Sequence, residues 1–270
     1  MIGTTIKYTF AILLSLGTSV YSQPNKYSSL NAHSHNDYRN TIPFYTAYHQ
    51  GFGSIEVDIF PVGGNLLVAH DKSEIDPESS LYELYLKPIS TELAKNPRRK
   101  LRLLIDIKEN YPEALLLLVK QLKPLKKFLS TTKATRQLSI VISGNRPKAS
   151  DFYKYPNYIF FDHDLSGILS ADQIKRVGLI SVPFTKYTRW NGIGELTPAD
   201  KKRVVEVIDS AHKIKKQIRF WAAPDTRTAW QTQINMGVDV IGTDKIKELG
   251  IFLEGMDKRN YGRQKIKMNN

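Results

Sequence analysis

The stretch GSIEVDIF, residues 53–60, decides the fold of this chain. Side chains alternate between the two faces of a β-strand. One face of this stretch is apolar and consists of Ile55, Val57 and Ile59. We expect that face to pack against helices, which leaves Glu56 and Asp58 on the opposite, inward face. The stretch therefore predicts a buried strand that directs two carboxylates toward one interior.

Seven further short apolar runs follow the same plan, and segments with helical periodicity lie between most of them. The runs are LNAHS (30–34), LRLLIDIK (101–108), LSIVISG (138–144), YIFFD (158–162), LISVPF (179–184), IRFWAAP (218–224) and VDVIGTD (238–244). Two of the helical segments carry clear end signals, with Thr197 as an N-cap and Gly237 as a C-cap. Eight strands that alternate with helices predict an α/β fold with a (β/α)8 TIM barrel. An open doubly wound sheet is the alternative, but no glycine-rich phosphate loop follows the first strand.

The two ends of the chain differ from this repeating middle. Residues 1–22 hold a single charge followed by roughly a dozen apolar residues, which predicts a signal peptide cleaved before Gln23. A membrane anchor would need about 20 apolar residues. We interpret 23–270 as one domain, with a barrel core over about 31–253 and a basic tail over 254–270. We therefore expect an exported protein, periplasmic or extracellular.

Composition narrows the chemistry and the partners. The 270 residues include no cysteine, which excludes disulfides, a cysteine nucleophile and thiolate metal sites. The net charge of +13 favours anionic partners, such as phosphate esters or an anionic membrane surface touched peripherally. A solvated basic surface is the alternative explanation of that charge. No nucleic-acid-binding motif is present, so we expect no nucleic-acid partner, and we expect a monomer.

Polar side chains cluster near the ends of strands that should be neighbours. Asp106 and Lys108 face inward in LRLLIDIK, and His33 and His35 share one face of LNAHSH. The functional groups of a barrel lie at the C-terminal ends of its strands. These side chains should therefore converge on one pocket with the two carboxylates of the opening stretch.

Three carboxylates in one pocket need a neutralising partner, because buried like charges are costly. An oxygen-rich set made of Glu56, Asp58 and Asp106 suits one hard divalent cation, Ca²⁺ or Mg²⁺. Each of these residues taken alone is more often a solvated strand end. Beyond Asp58, a GGN turn leads into a short strand that ends at His70 and pairs back toward the same pocket.

The span AHSHNDYRNTIPFYTAYHQGFGSIEVDIFPVGGNLLVAHD, residues 32–71, resembles a known family. It is similar to the opening of the glycerophosphodiester phosphodiesterases, within the phospholipase-C-like phosphodiesterase superfamily. That opening has a histidine at the end of the first strand, then E-x-D, then a histidine–aspartate pair. The closer resemblance is to the branch named for altered inheritance of mitochondria. It rests on HSHNDY, LYELYLKPI, LLIDIK, WNGIG and IRFWAAPDTRTAWQTQINMGVDVIGTD, and it spans roughly residues 31–248.

The resemblance implies a metal-dependent phosphoric diester hydrolase that acts on glycerophosphodiesters or phospholipid head groups. It makes His33 and His70 the acid–base pair. The metal ligands that it implies are Glu56, Asp58 and Asp106. Lys108 would then neutralise a phosphoryl oxygen, with a salt bridge to Asp106 or Glu56 as the alternative.

Two departures from the family pattern bear on the substrate. The family's H-R-G reads His33, Ser34, His35 here, and Asp106 stands where a glutamate is usual, as in the sphingomyelinase D type. Diester chemistry is therefore better supported than the glycerol head group. We expect His35 to orient Asp37 or a loop rather than to carry the chemistry, although it could also bond substrate. Trp221 could line the pocket or pack in the barrel. His163 and His212 are expected at the surface.

Two other functions compete with this interpretation. A zinc amidohydrolase would also carry H-x-H at the end of strand one, and Asp244 at strand eight would suit it. That class requires a further histidine where LISVPF has none, and it leaves Glu56 and Asp58 unexplained. A non-catalytic secreted binding protein on the same barrel is the second alternative.

Export predicts a shortened mature chain. N-terminal sequencing of the soluble protein should begin near Gln23, because signal peptidase cleaves after small residues such as Ser22. Retention of Met1 in the soluble protein would contradict the prediction.

Overall fold

The computed structural model describes residue 24 and residues 26–256. Nine strands lie within these residues, and each of the eight predicted apolar runs overlaps one. They are β1 (Ala32–Ser34), β2 (Ser54–Val62), β3 (Asn65–Val68), β4 (Leu101–Ile107), β5 (Leu138–Gly144), β6 (Ile159–His163), β7 (Val177–Pro183), β8 (Ile218–Trp221) and β9 (Ile241–Thr243). The ninth, β3, is the short strand after the GGN turn.

Eight of the strands form one parallel sheet that curls into a nearly closed barrel. Their order is β8-β7-β6-β5-β4-β2-β1-β9, and β3 pairs antiparallel with β2 off this path. The two end strands meet through a bridge between Arg219 and Val240, where the Val240 amide donates to the Ile218 carbonyl at 3.2 Å. This closure confirms the predicted TIM barrel over an open doubly wound sheet.

Helices cover the outside of the barrel. They are α1 (Tyr45–His49), α2 (Lys87–Lys95), α3 (Tyr111–Gln121), α4 (Ala171–Arg176), α5 (Pro198–Lys213) and α6 (Arg227–Met236), with residues 246–256 also helical. The Thr197 hydroxyl accepts from the Asp200 amide at 3.1 Å and begins α5 as predicted. Gly237 ends α6 at a φ of 92°, a left-handed conformation that favours glycine. Between β5 and β6 the connection is a 3₁₀ helix, Ala149–Lys154.

Two apolar layers hold the sheet. The outer layer packs Ile55, Val57 and Ile59 against the helices, as predicted from their alternation. The inner layer fills the barrel with Leu104, Val141, Leu179 and Val240. Two residues further along the strands, the same inward face becomes polar at Asp106, Ser143 and Ser181. The inner layer is therefore a floor beneath a polar mouth at the C-terminal ends of the strands.

No helix within residues 26–256 has the length and apolar character that a membrane crossing needs. The predicted signal peptide and most of the predicted basic tail lie outside the described residues, so both stay predictions.

One carboxylate fastens the last strand to its helix. Asp225 Oδ1 accepts from the Trp230 indole and from the Thr243 hydroxyl, each at 2.8 Å, and Oδ2 accepts from the Asp244 amide at 3.0 Å. Trp230 is fully buried.

Asp225→Ala should lower the free energy of unfolding by on the order of 3 kcal/mol, because three donors lose a charged acceptor. Arg227→Ala, two residues away and exposed, is the control and should change it by less than about 0.5 kcal/mol. Urea unfolding of both variants checks this. Equal stability of the two would show that the carboxylate does not fasten the strand.

Candidate active site

A cavity of about 590 Å³ opens at the mouth of the barrel. The predicted site residues that line it are His35, Glu56, His70, Asp106, Lys108 and Trp221. They lie in or just after five different strands, β1, β2, β3, β4 and β8, which the barrel brings to one place. The two remaining predicted residues, Asp58 and His33, are buried against this set.

Lys108 lies between two of the three carboxylates. Its Nζ atom is 2.6 Å from Asp58 Oδ2 and 2.8 Å from Asp106 Oδ2. The two aspartates are level because their Cα atoms are partners in the β2–β4 ladder. Burial alone would lower the pKa of Lys108, but the two carboxylates outweigh it and raise that pKa. The structure thus shows the salt bridge that the sequence left as the alternative role for this lysine.

Glu56 is neutralised by an arginine that sequence reasoning missed. The Arg219 guanidinium is buried and donates to Glu56 Oε2, and its Nε also donates to Ser181 Oγ at 3.1 Å. Burial would raise the pKa of Glu56, but Arg219 and His33 hold it well below its usual range. A signal was present in the sequence: Arg219 shares the inward face of IRFW with Trp221, and an arginine inside an apolar strand needs a partner.

His33 lies one level below the cavity. It has no exposed surface, and both ring nitrogens are engaged: Nδ1 lies 2.8 Å from Ser54 Oγ, and Nε2 lies 2.7 Å from Glu56 Oε2 and against Arg219. Burial and the Arg219 charge lower the pKa of His33 to about 3. A neutral, enclosed imidazole of this kind supports Glu56 and Arg219 and has no face on the cavity.

His35 is the imidazole that the first strand presents to the cavity. Its side chain is 39% exposed, its Nδ1 lies 2.8 Å from Asp244 Oδ1, and its Nε2 lies 3.9 Å from Glu56 Oε1. Burial would lower the pKa of His35, but the hydrogen bond to Asp244 and the charge of Glu56 raise it. The role of His33 in proton transfer therefore stays a prediction. The geometry of the cavity favours His35 for that role.

The expected contact between His35 and Asp37 does not form. Asp37 is buried and accepts from the Ser34 hydroxyl at 2.7 Å, the Phe44 amide at 2.6 Å and the Tyr85 hydroxyl at 3.0 Å. It fixes the loop that follows β1, while Asp244 orients His35.

His70 is held by a carboxylate and a tyrosine. Its Nδ1 lies 2.9 Å from Asp58 Oδ2 and 3.2 Å from the Tyr38 hydroxyl, which itself lies 2.7 Å from Asp58 Oδ2. A carboxylate at Nδ1 favours the tautomer with the proton there, which leaves Nε2 to exchange a proton with a substrate. Tyr38 is the last residue of the motif HSHNDY, and its contact with His70 was not predicted from the sequence.

The oxygen atoms of these carboxylates are suitable ligands for a hard divalent cation such as Ca²⁺ or Mg²⁺. Asp58 Oδ1 is buried without a hydrogen-bond partner among the described residues, which is costly for a carboxylate oxygen unless a cation meets it. Across residues 26–256, no three acidic or histidine side chains stand ready as a metal-binding group. Lys108 pairs with one oxygen of Asp58 and one of Asp106, and Arg219 pairs with one oxygen of Glu56. A bound ion would therefore compete with these two side chains.

Two comparisons of sequence bear on this site. Residues 25–97 match the family of the AIM6-like phosphodiesterase domain, a span that holds β1 to β3 and ends before Asp106. Altered inheritance of mitochondria protein 6 from Eremothecium gossypii is 27% identical and covers 82% of this chain and 68% of the relative. Its homolog from Arthroderma benhamiae is 26% identical and covers 79% of this chain and 81% of the relative.

Solved structures match the barrel. A glycerophosphodiester phosphodiesterase from Parabacteroides distasonis superposes with a TM-score of 0.57 at 16% identity, over 83% of this chain and 97% of that one. A calcium-dependent phosphoinositol-specific phospholipase C from Pseudomonas gives 0.55 at 12% identity, over 80% and 88%. The chain therefore has a TIM-barrel fold similar to that of these two enzymes. The resemblance predicted from its motifs is confirmed by the sequence matches.

Competition between Lys108 and a metal ion is testable. Lys108→Met should raise the affinity for Ca²⁺ or Mg²⁺ by about tenfold, because it removes a positive charge that neutralises two carboxylates. The affinity is measured by calorimetry. Lys72→Met is the matched control, since Lys72 pairs with Glu109 on the surface and should leave the affinity unchanged. An unchanged affinity in Lys108→Met would remove these two aspartates from the proposed metal site.

Proposed function

We propose that this chain is an exported, divalent-metal-dependent phosphodiesterase that hydrolyses glycerophosphodiesters or phospholipid head groups. The observation that carries the proposal is a single cavity lined by two imidazoles, each with a carboxylate at its Nδ1, and by Glu56, Asp106 and Lys108. Asp58 is buried beside this set. The match to a phosphodiesterase domain and the likeness of the barrel support the same class of reaction.

The proposed metal ligands are Glu56, Asp58 and Asp106. A divalent ion held there would polarise the phosphoryl oxygens and lower the pKa of a nearby hydroxyl. Lys108 already lies between two of these carboxylates, and its ammonium would neutralise an oxygen of the anionic diester as charge develops on it.

The two cavity imidazoles divide the proton transfers. One takes the proton of the attacking hydroxyl, and the other donates a proton to the alkoxide that leaves phosphorus. His70, whose Nδ1 contacts Asp58 so that Nε2 remains to accept a proton, suits the first role. His35, whose pKa is raised by Asp244 and Glu56, suits the second. When water attacks, the products are a phosphomonoester and an alcohol. When a hydroxyl of the substrate attacks, the product is a cyclic phosphate.

One observation favours a second candidate, a non-catalytic protein that binds phosphodiesters in the same cavity. Arg219 and Lys108 already balance charge at the three carboxylates. A barrel neutralised by its own cations could bind an anion without a metal ion. The zinc amidohydrolase alternative has less support, because both nitrogens of His33 are engaged inside the protein.

Metal binding separates the two candidates. Glu56→Gln should abolish turnover and weaken metal binding, because it removes the ligand charge without changing the shape of the side chain. The fold should be kept but its unfolding temperature lowered, because buried Arg219 loses its counter-ion. Glu113→Gln, exposed on α3, is the control and should match the unmodified protein. Calorimetry and circular dichroism supply the readouts beside turnover. Near-normal turnover of Glu56→Gln at saturating metal would contradict the assignment of Glu56 as a metal ligand.

The roles of the first-strand histidines can be separated by mutation. General acid–base catalysis contributes about 10²–10⁴-fold, so His35→Ala and His70→Ala should each lose kcat on that order. His33→Asn should mainly lower the unfolding temperature, because the buried Glu56 and Arg219 lose a partner. A folded His33→Asn that loses kcat as strongly as His70→Ala, beside a nearly active His35→Ala, would restore His33 as the proton-transfer residue.

A further inference from the structure

Positive charge is concentrated at the base of the barrel, the end opposite the cavity. Parallel strands all begin at this end, so the residues just before each strand lie together there. Three of these segments contain 13 basic residues and no acidic residue. They are residues 95–100 before β4, residues 120–136 before β5 and residues 213–217 before β8, and we call them the basic end face. Over the rest of residues 26–256 the acidic residues outnumber the basic ones.

Hydrogen bonds join the three segments of the basic end face. Lys100 Nζ donates to the Arg136 carbonyl at 3.0 Å and ties the first segment to the second. Across the base, the Arg102 guanidinium at the start of β4 donates to the Gln217 side chain of the third segment. Leu125 is buried in the middle of the second segment. The charges are therefore held on packed and hydrogen-bonded backbone.

Most of these basic side chains are exposed and have no acidic partner. The exposed ones are Lys95, Arg98, Lys100, Lys120, Lys123, Lys126, Lys127, Lys133, Arg136, Lys213 and Lys215. Within residues 26–256, only Lys95 among them forms an ion pair, with Glu92 at 2.7 Å. Like charges gathered on one face repel one another. A bound polyanion would relieve that repulsion.

The side chains of the basic end face favour one class of polyanion. None of the ten large apolar side chains that the described residues expose lies in its three segments, so the face has nothing to insert into a lipid bilayer. Its one aromatic residue, Phe128, is buried, so the face has no stacking platform for nucleic-acid bases. The exposed groups that remain are mostly lysines. They suit a hydrated polymer that repeats an anionic group along its length.

We propose that the basic end face binds a linear anionic polysaccharide, whose sulfate or carboxylate groups pair with the exposed lysines. A barrel bound in this way is held by its base, and its mouth stays open to solvent. The binding needs neither turnover nor a metal ion, so it stands or falls separately from the proposed function.

Fluorescently labelled heparin, a sulfated polysaccharide, is the probe, and fluorescence anisotropy measures its Kd. Lys123→Gln/Lys126→Gln/Lys127→Gln removes three exposed charges from the centre of the second segment. The Kd should rise by on the order of tenfold, the loss expected for three exposed ion pairs. Salt should weaken binding, and this variant should show the smaller salt dependence because it releases fewer counter-ions.

A control triple variant, Lys201→Gln/Lys202→Gln/Lys247→Gln, loses the same net charge at the other end of the barrel. Lys201 and Lys202 lie near the start of α5, Lys247 lies just after β9, and all three are exposed. The Kd of this variant for heparin should stay close to that of the unmodified protein. Circular dichroism should show the same fold for both variants.

Uncharged dextran should not bind to any of the three proteins. Equal weakening by the two triple variants would overturn the proposal, because it would make net charge and not the basic end face responsible. Absence of heparin binding would overturn it as well. So would tighter binding of a DNA duplex, or of vesicles of phosphatidylcholine with phosphatidylglycerol, at the same concentration of anionic charge. All variants keep the same termini, so contacts made by the ends of the chain are common to them.

Discussion

The balance of charge inside the barrel mouth is the constraint on which the rest of the site depends. Glu56, Asp58 and Asp106 occupy the inward face of two adjacent parallel strands, where their mutual repulsion is costly. Arg219 offsets the first of them, and Lys108 is shared by the other two. These ion pairs hold the carboxylates in place. A metal ion that enters must compete with the two basic side chains, and an anionic substrate must compete with the carboxylates.

The layers beneath the mouth make this arrangement stable. Leu104, Val141, Leu179 and Val240 fill the barrel below the charges and exclude water from that side. Directly above, the enclosed His33 links Ser54, Glu56 and Arg219 in one hydrogen-bonded group. The top level, with His35 and His70, lines the cavity together with Glu56 and Arg219 of the level beneath, while His33 does not reach it. The barrel therefore has an apolar floor, a neutral polar support and a reactive surface, and each level lies two residues from the next along a strand.

Alternation along single strands was enough to predict much of this. It placed Glu56, Asp58, Asp106 and Lys108 inward and the isoleucines of the opening stretch outward, because a strand has a strict period of two. Alternation could not show which of His33 and His35 lies deeper in the barrel, because both are on the same face of the strand. Their depth depends on the register with β2, where His33 is level with Ser54, so His35 lies two residues closer to the mouth. Register is a property of two strands together, and one strand alone does not contain it.

Partners distant in sequence account for the remaining differences. His35 meets Asp244 across 209 positions and Glu56 meets Arg219 across 163, contacts that only the closed barrel creates. His163 and His212, both expected at the surface, are instead buried. His212 lies on the buried face of α5, and its Nε2 is 2.8 Å from Asp239 Oδ2.

The most direct test of the proposed chemistry is a panel of phosphodiesters followed by ³¹P nuclear magnetic resonance. The panel includes glycerophosphocholine, glycerophosphoinositol, lysophospholipids and bis-p-nitrophenyl phosphate, each incubated with the protein, with EDTA, and with Ca²⁺ or Mg²⁺ restored. A phosphodiesterase built on this cavity should convert at least one of them to a phosphomonoester or cyclic phosphate, stop with EDTA, and recover with the metal. Binding of the same diesters with no new phosphorus signal under any metal condition would contradict it and establish the barrel as a binding protein.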